Sequence, residues 1–151
     1  MDRIRDTALL LARTAIGLLF ACHGAATLFG VLGGPHGGRT PYFAEWPGWW
    51  AAVIELGAGG LVMLGLATRA AALLCSGTMA YAYFVVHQPD GLFPMVNGGE
   101  AAALFSWSFL LLAVTGGGSW SLDALAARYR ASGRRGGLPP LRPDASLIRE
   151  R

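Results

Sequence analysis

The stretch that decides the fold runs from residue 48 to residue 87: GWWAAVIELGAGGLVMLGL (48–66), then Ala67 and Thr68, then RAAALLCSGTMAYAYFVVH (69–87). Each apolar run approaches the ~20 residues that a helix needs to cross the ~30 Å hydrocarbon core of a bilayer. No alternation of period two competes, and the run lengths are those of helices. Leu66-Ala67-Thr68 reads as a tight turn with Thr68 as a helix cap, so two spans follow one another almost without a break.

Outward from this pair, two further apolar runs occupy about 8–32 and 100–115. The expected architecture is an all-α integral membrane four-helix bundle with helices at about 8–32, 48–66, 69–87 and 100–115. Composition agrees: 54% of the residues are hydrophobic, 14% are charged and the mean hydropathy is +0.45. A soluble domain carries about 25% charged residues. The links carry turn chemistry, with GGPHGGRTPYFAEWP at 33–47 and QPDGLFPMVNGG at 88–99, and Trp46, Trp49 and Trp50 stand where an aromatic belt belongs.

All 12 basic residues are arginine, and 7 of them lie in the last 24 residues. No basic face interleaved with aromatics exists, so nucleic acid is set aside as a partner. In the four-span arrangement Arg3, Arg5, Arg13, Arg69 and the tail arginines share one side, and Arg39 alone falls on the other. The positive-inside rule then places both termini in the cytoplasm and the 33–47 and 88–99 loops outside. The opening could also be read as a lipoprotein signal peptide ending at Leu19-Phe20-Ala21-Cys22, but Phe20 is bulky beside that cleavage site and apolar character continues through Val31; an uncleaved first helix is favoured. Cys22 and Cys75 belong to different depths and read as buried free thiols.

Residues 1–123 thus form the membrane domain, and 124–151, rich in Arg, Gly and Pro, a basic disordered cytoplasmic tail. A short amphipathic start at Leu125 to Tyr129 is expected along the membrane, with attraction to anionic lipid as the simplest use of the tail's charge.

For packing between helices, Gly17, Ala21 and Ala25 in the first run and Ala72, Ser76 and Ala80 in the third form small-residue stripes. Gly59, one turn beyond Glu55, would let a neighbour approach that carboxylate.

Ionisable residues inside spans cost free energy and mark candidate sites. By a 1.5 Å rise, His23 lies roughly 22 Å from the inner end of helix one and Glu55 roughly 9 Å from the outer end of helix two. His87 closes helix three and Glu100 opens helix four on the same side. The four converge in the outer half, with Tyr83 and Trp107 as aromatic walls and Asn97 orienting the loop or the ligand. A carboxylate and an imidazole can share a proton or bind a polar head, which suits a quinone-like ring.

Against this, His87 and Glu100 at headgroup depth cost little, and Glu100 is favoured by the helix N-terminus alone. Axial haem ligation by His23 and His87, or a metal held by His23, His36 and His87 with a glutamate, lacks any recognised spacing. On the inner side Arg13, Arg69 and Asp123 read as a structural salt-bridge cluster.

The stretches ARTAIGLLFACHGAATLFG (12–30), IELGAGGLVMLGLATRAAALL (54–74), AYFVVHQPDGLFPMVNGGEAAALF (82–105) and GGGSWSLD (116–123) together resemble the DoxX family of small four-helix bacterial membrane proteins. The positions that carry the likeness are Arg13, His23, Gly24, Glu55, Thr68, Arg69, His87, Pro94, Asn97, Gly98, Glu100 and Asp123. Thr27 departs from it, because members often carry lysine after the His-Gly pair, and a cation is thereby lost.

The resemblance implies a bacterial plasma-membrane protein linked to quinone or thiol redox metabolism, since some relatives are subunits of thiosulfate:quinone oxidoreductase and others partner redox-stress enzymes. Alternatives are a non-catalytic anchor or scaffold for a redox enzyme and, with less support, a permease, for which four short helices would need to oligomerise.

Overall fold

The computed structural model describes residues 2–35 and 38–135, and all regular structure among them is helical. The helices are α1 (Asp2–Phe29), α2 (Gly48–Leu64), α3 (Thr68–Tyr81), α4 (Pro94–Asn97), α5 (Glu100–Thr115) and α6 (Leu122–Arg135). A π-helical stretch, Ala82–His87, and a 3₁₀ turn, Gln88–Asp90, prolong α3. His36 and residues 136–151 of the expected tail lie outside the described residues.

Two of these helices, Arg3–Phe29 and Thr68–Asp90, are long and apolar enough to cross a bilayer, while Gly48–Leu64 and Glu100–Thr115 are apolar but shorter. At a 1.5 Å rise the shorter two reach about 25 Å, somewhat less than the hydrocarbon core. Large apolar side chains face outward all round: Leu19, Leu73, Phe84, Leu104, Trp107, Leu111 and Val114 are all more than half exposed. A water-soluble domain would hide a surface of this extent, whereas lipid solvates it.

What the helices bury is small or aromatic. α1 packs along α2 through glycine: a Cβ on Gly17 would stand 2.6 Å from the Met63 nitrogen and 2.7 Å from the Gly59 carbonyl. Gly24 makes the second close approach, so the contact stripe of α1 is Gly17, Ala21 and Gly24, one position before the Ala25 expected from an unbroken interval of four. α3 meets α5 at Ser76, whose hydroxyl donates to the Ser106 carbonyl at 2.9 Å while the Ser106 hydroxyl donates to the Ser76 carbonyl at 3.1 Å, and Ala72 and Cys75 of α3 are fully buried. Phe20 of α1 closes the core against Phe105 and Phe109 of α5, with ring centroids 5.3 and 4.7 Å apart. In lipid such packing and interhelical hydrogen bonds replace the hydrophobic drive that water would give.

One end of the assembly is tied by polar groups. Gly65, at φ +73°, ends α2, and the Leu66 N–H reaches back to the Leu61 carbonyl at 3.0 Å, which satisfies carbonyls the helix would otherwise orphan. Buried Arg13 donates through Nη1 to the Val62 (3.3 Å) and Met63 carbonyls and through Nη2 to the Trp120 carbonyl (2.7 Å).

Asp123 accepts from the Ala67 N–H at 2.8 Å, the Thr68 N–H at 2.9 Å and the Thr68 hydroxyl at 3.0 Å. The start of α3 is therefore capped from α6, and Thr68, expected to be the cap, is instead a donor to it. The expected salt bridges are also replaced. Among the described residues Arg13 and Asp123 pair with backbone groups at helix ends, where dipole and unsatisfied groups already favour a cation and an anion. Arg69 stands against Gly116, where a Cβ would meet its Nε at 3.2 Å. From Asp123 onward α6 continues as helix to Arg135, well past the short amphipathic start expected near Leu125.

Candidate functional site

At the other end, the segment between α1 and α2 folds over the helix ends and roofs a cavity of about 540 Å³. His23 and Thr27 of α1, Ala52 and Glu55 of α2, Val86 from the π-helical stretch, and Arg39, Glu45 and Trp46 of the roof line it.

Gly24 is the reason that His23 and Glu55 meet. A Cβ there would stand 2.5 Å from both the Ala52 carbonyl and the Leu56 nitrogen and 3.0 Å from the Glu55 Cβ, so only glycine lets α1 approach α2 at this level. His23, the next residue, is half-buried and turns its ring edge-on to Phe105 at 5.9 Å. Glu55 is half-buried, and its carboxylate has no hydrogen bond or ion pair to another described residue. A carboxylate placed so, inside an apolar helix assembly, is costly unless something else satisfies it.

The roof is held by its own ion pair. Arg39 donates to Glu45 through both terminal nitrogens, at 3.0 Å from Nη1 to Oε2, and its guanidinium lies 4.8 Å from the centre of the Tyr42 ring. Glu45 also accepts from the Tyr42 N–H at 2.7 Å. Arg39, then the Tyr42 N–H, hold the Glu45 carboxyl below the usual carboxylate range. Arg39, from the loop, and Thr27, from α1, thus line the same cavity.

The remaining expected site residues divide into two groups. His87, Asn97 and Tyr83 build the hairpin between α3 and α5. The His87 Nδ1–H donates to the Asn97 carbonyl at 3.2 Å, the Asn97 amide donates to the Gly91 carbonyl at 2.7 Å and accepts from the Gly99 N–H at 2.8 Å, and the Tyr83 hydroxyl donates to the Leu92 carbonyl at 2.8 Å. Val86, not His87, lines the cavity, because His87 is turned to the Asn97 carbonyl of α4.

Glu100 and Trp107 are not brought to His23. Glu100 is exposed and borders a separate apolar cavity with Phe93, Met95 and Leu104, and Trp107 is 72% exposed on the outward face of α5.

Sequence reasoning did not place Arg39 and Glu45 in the site or give Gly24 its part in bringing α1 onto α2, whereas Thr27 was set near His23 as a lost cation. A signal existed for the first two: Arg39 is the one arginine set against the charge bias of the other loops, with an acid six residues on.

A family model described as DoxX matches residues 8–88. Over 130 residues the chain is 35% identical to a protein of Haemophilus influenzae described as uncharacterized, a match covering 82% of this chain and 93% of that one. It is 29% identical over 135 residues to the inner membrane protein YqjF of Escherichia coli, covering 83% and 96% of the two chains. No solved structure matches it.

Proposed function

From the premise that this chain belongs to the DoxX family of membrane proteins, we propose that it is a quinone- or thiol-linked redox component whose ligand site is the cavity beneath the 33–47 loop. α1, α2, α3 with its extension, and α5 cross the bacterial plasma membrane as a four-helix bundle. Both termini are cytoplasmic, and the cavity opens on the outer side; the arginine distribution supports that orientation.

The observation that carries the reading is the meeting of His23 and Glu55 in one cavity beside Trp46, with the carboxylate unpartnered among the described residues. A two-electron reduction of a quinone ring takes up two protons, and an imidazole and a carboxyl are groups suited to pass them. The electron pair comes from a thiol donor or a partner subunit. Trp46 offers a flat apolar face, and the Arg39–Glu45 pair a polar roof over the same cavity. His87 and Asn97 contribute by fixing the hairpin that carries Val86 to the cavity wall.

The test is retention of small molecules by gently purified protein, identified by mass spectrometry in wild type, Glu55→Gln and His23→Gln. A quinone or thiol compound present in wild type and depleted at least tenfold in either variant supports the site. Identical small-molecule content in all three sinks it and favours a non-catalytic anchor for a redox enzyme.

A further inference from the structure

The opposite end of the molecule carries an unpartnered surface of its own. On α6, Leu122, Leu125 and Tyr129 follow one another at spacings of three and four and are all exposed. They form one stripe, and helical geometry puts Arg128 and Arg130 about 100° to either side of its centre. An apolar stripe flanked by basic residues is the pattern of a helix lying in the plane of a bilayer interface, with arginine stems along the apolar boundary and heads toward the phosphates. The hydrogen bonds that tie α6 to the other helices come from its beginning, at Asp123, so the stripe farther along is left open among the described residues.

A second feature meets this stripe. Between the start of α1 and the start of α6 lies a cavity of about 720 Å³, bordered by Arg3, Arg128, Trp120, Leu64, Leu122 and Leu125. Arg3 and Arg128 come from the two ends of the described chain, and the fold brings them to one opening. Asp6, also at this cavity, accepts a hydrogen bond from the Ser119 hydroxyl, and Arg128 donates to the Ser119 carbonyl at 3.3 Å, which leaves guanidinium donors over. Leu122 and Leu125 belong both to the cavity and to the stripe, so a polar recess runs directly into an apolar track.

We propose that this recess seats the headgroup phosphate of an anionic phospholipid between Arg3 and Arg128, with the acyl chains leaving over Leu64 and along α6. The apolar share of the lining and its continuity with the stripe fit a lipid, since a free phosphate would use only the two guanidinium groups. The site depends on neither His23 nor Glu55.

Delipidated protein re-supplied with phosphatidylglycerol or phosphatidylcholine, with bound lipid counted by native mass spectrometry, tests this. Wild type is expected to retain phosphatidylglycerol at least tenfold better. Arg3→Gln and Arg128→Gln should each lower that retention about fivefold, the corresponding lysine variants should keep most of it, and Arg39→Gln at the far end should leave it unchanged. Equal retention of the two lipids overturns the proposal, as does a double Arg3→Gln/Arg128→Gln protein that melts like wild type yet holds phosphatidylglycerol as well. Inorganic phosphate competing at the lipid's own concentration would overturn it in favour of a soluble anion.

Discussion

At one end of the helices Arg13 directs its terminal guanidinium nitrogens to carbonyls of α2 and of the segment before α6, and Asp123 takes up the N–H groups that open α3. At the other end the Glu55 carboxylate faces a cavity with no hydrogen bond or ion pair to a described residue, and His23 lines the same cavity. Both ends place ionisable groups among apolar helices, but the first satisfies all but the Arg13 Nε within the chain, and the second leaves the Glu55 carboxylate without a hydrogen bond or ion pair among the described residues. A buried polar network that is nearly all used fixes a fold, and one that is largely unused is available to a ligand. The two ends should therefore respond differently to the same kind of substitution.

The largest effect is expected at Arg13. Arg13→Met keeps the apolar stem but strands the Met63 and Trp120 carbonyls, while Val62 keeps the Gly65 N–H, and should cost about 3 kcal/mol. A melt of the purified protein in mild detergent reads this loss, and the same melt should barely move for Glu55→Gln. If the two variants melted alike, the division between a fastened end and an open end would fail.

Next comes Gly24, which links packing to the cavity. Gly24→Ala forces a methyl group to within 2.5 Å of the α2 backbone, so α1 and α2 must part. Overpacking of this kind costs about 1 to 3 kcal/mol, and it should also deplete the retained small molecule. Gly60→Ala, where a Cβ meets nothing within 4 Å, is the matched control and should melt like wild type.

A smaller effect belongs to Asp123, whose loss as a cap should cost about 1 kcal/mol in Asp123→Asn. Burial opposes its ionisation, but the Thr68 and Ala67 N–H groups, the Thr68 hydroxyl and nearby Arg13 outweigh that and hold its carboxyl below the ordinary range. A carboxyl depressed on folding stabilises fully above its unfolded value of about 3.9, and that stability is lost as pH falls through the folded value. Melting temperature followed downward from pH 6 should therefore drop more steeply in wild type than in Asp123→Asn. Parallel curves would remove Asp123 from the fastened end.

The smallest stability change is expected for Arg39→Gln, because the Arg39–Glu45 pair lies in solvent-facing loop. The melt should not change measurably, while ligand retention falls and protease cuts the 33–47 loop sooner. A melt that fell as far as that of Arg13→Met would mean that the roof, too, is a structural fastening.

Much of this was legible in the residues. The apolar runs around Glu55 and Cys75 are long and poor in charge, as helices are, and the stretches around His23-Gly24 and Asn97-Gly98-Gly99-Glu100 carry the family likeness. That His23 and Glu55 stand at similar heights could be anticipated, since a fixed rise per residue converts sequence position into height. The same arithmetic could not separate His87 from Val86 or turn Trp107 outward, because azimuth depends on which faces pack, and a π-helical stretch intervenes before His87. Nor could charge type tell that Arg13 and Asp123 would bond backbone groups of other helices in place of each other.

Taken by itself, then, the sequence determined that the chain is helical and rich in apolar surface suited to lipid, where the second and fifth helices lie, and which ionisable groups stand at similar heights; it missed the early start of α1 at Asp2 and the helix Leu122–Arg135. Those properties follow from local composition and rise. Only the tertiary structure decided that Gly24 brings α1 onto α2, that Arg39 returns over the cavity from a loop, that Glu100 faces elsewhere, and that Arg3 and Arg128 share one recess. Each of these depends on rotation about helix axes and on contacts between residues far apart in the chain, which no local pattern encodes.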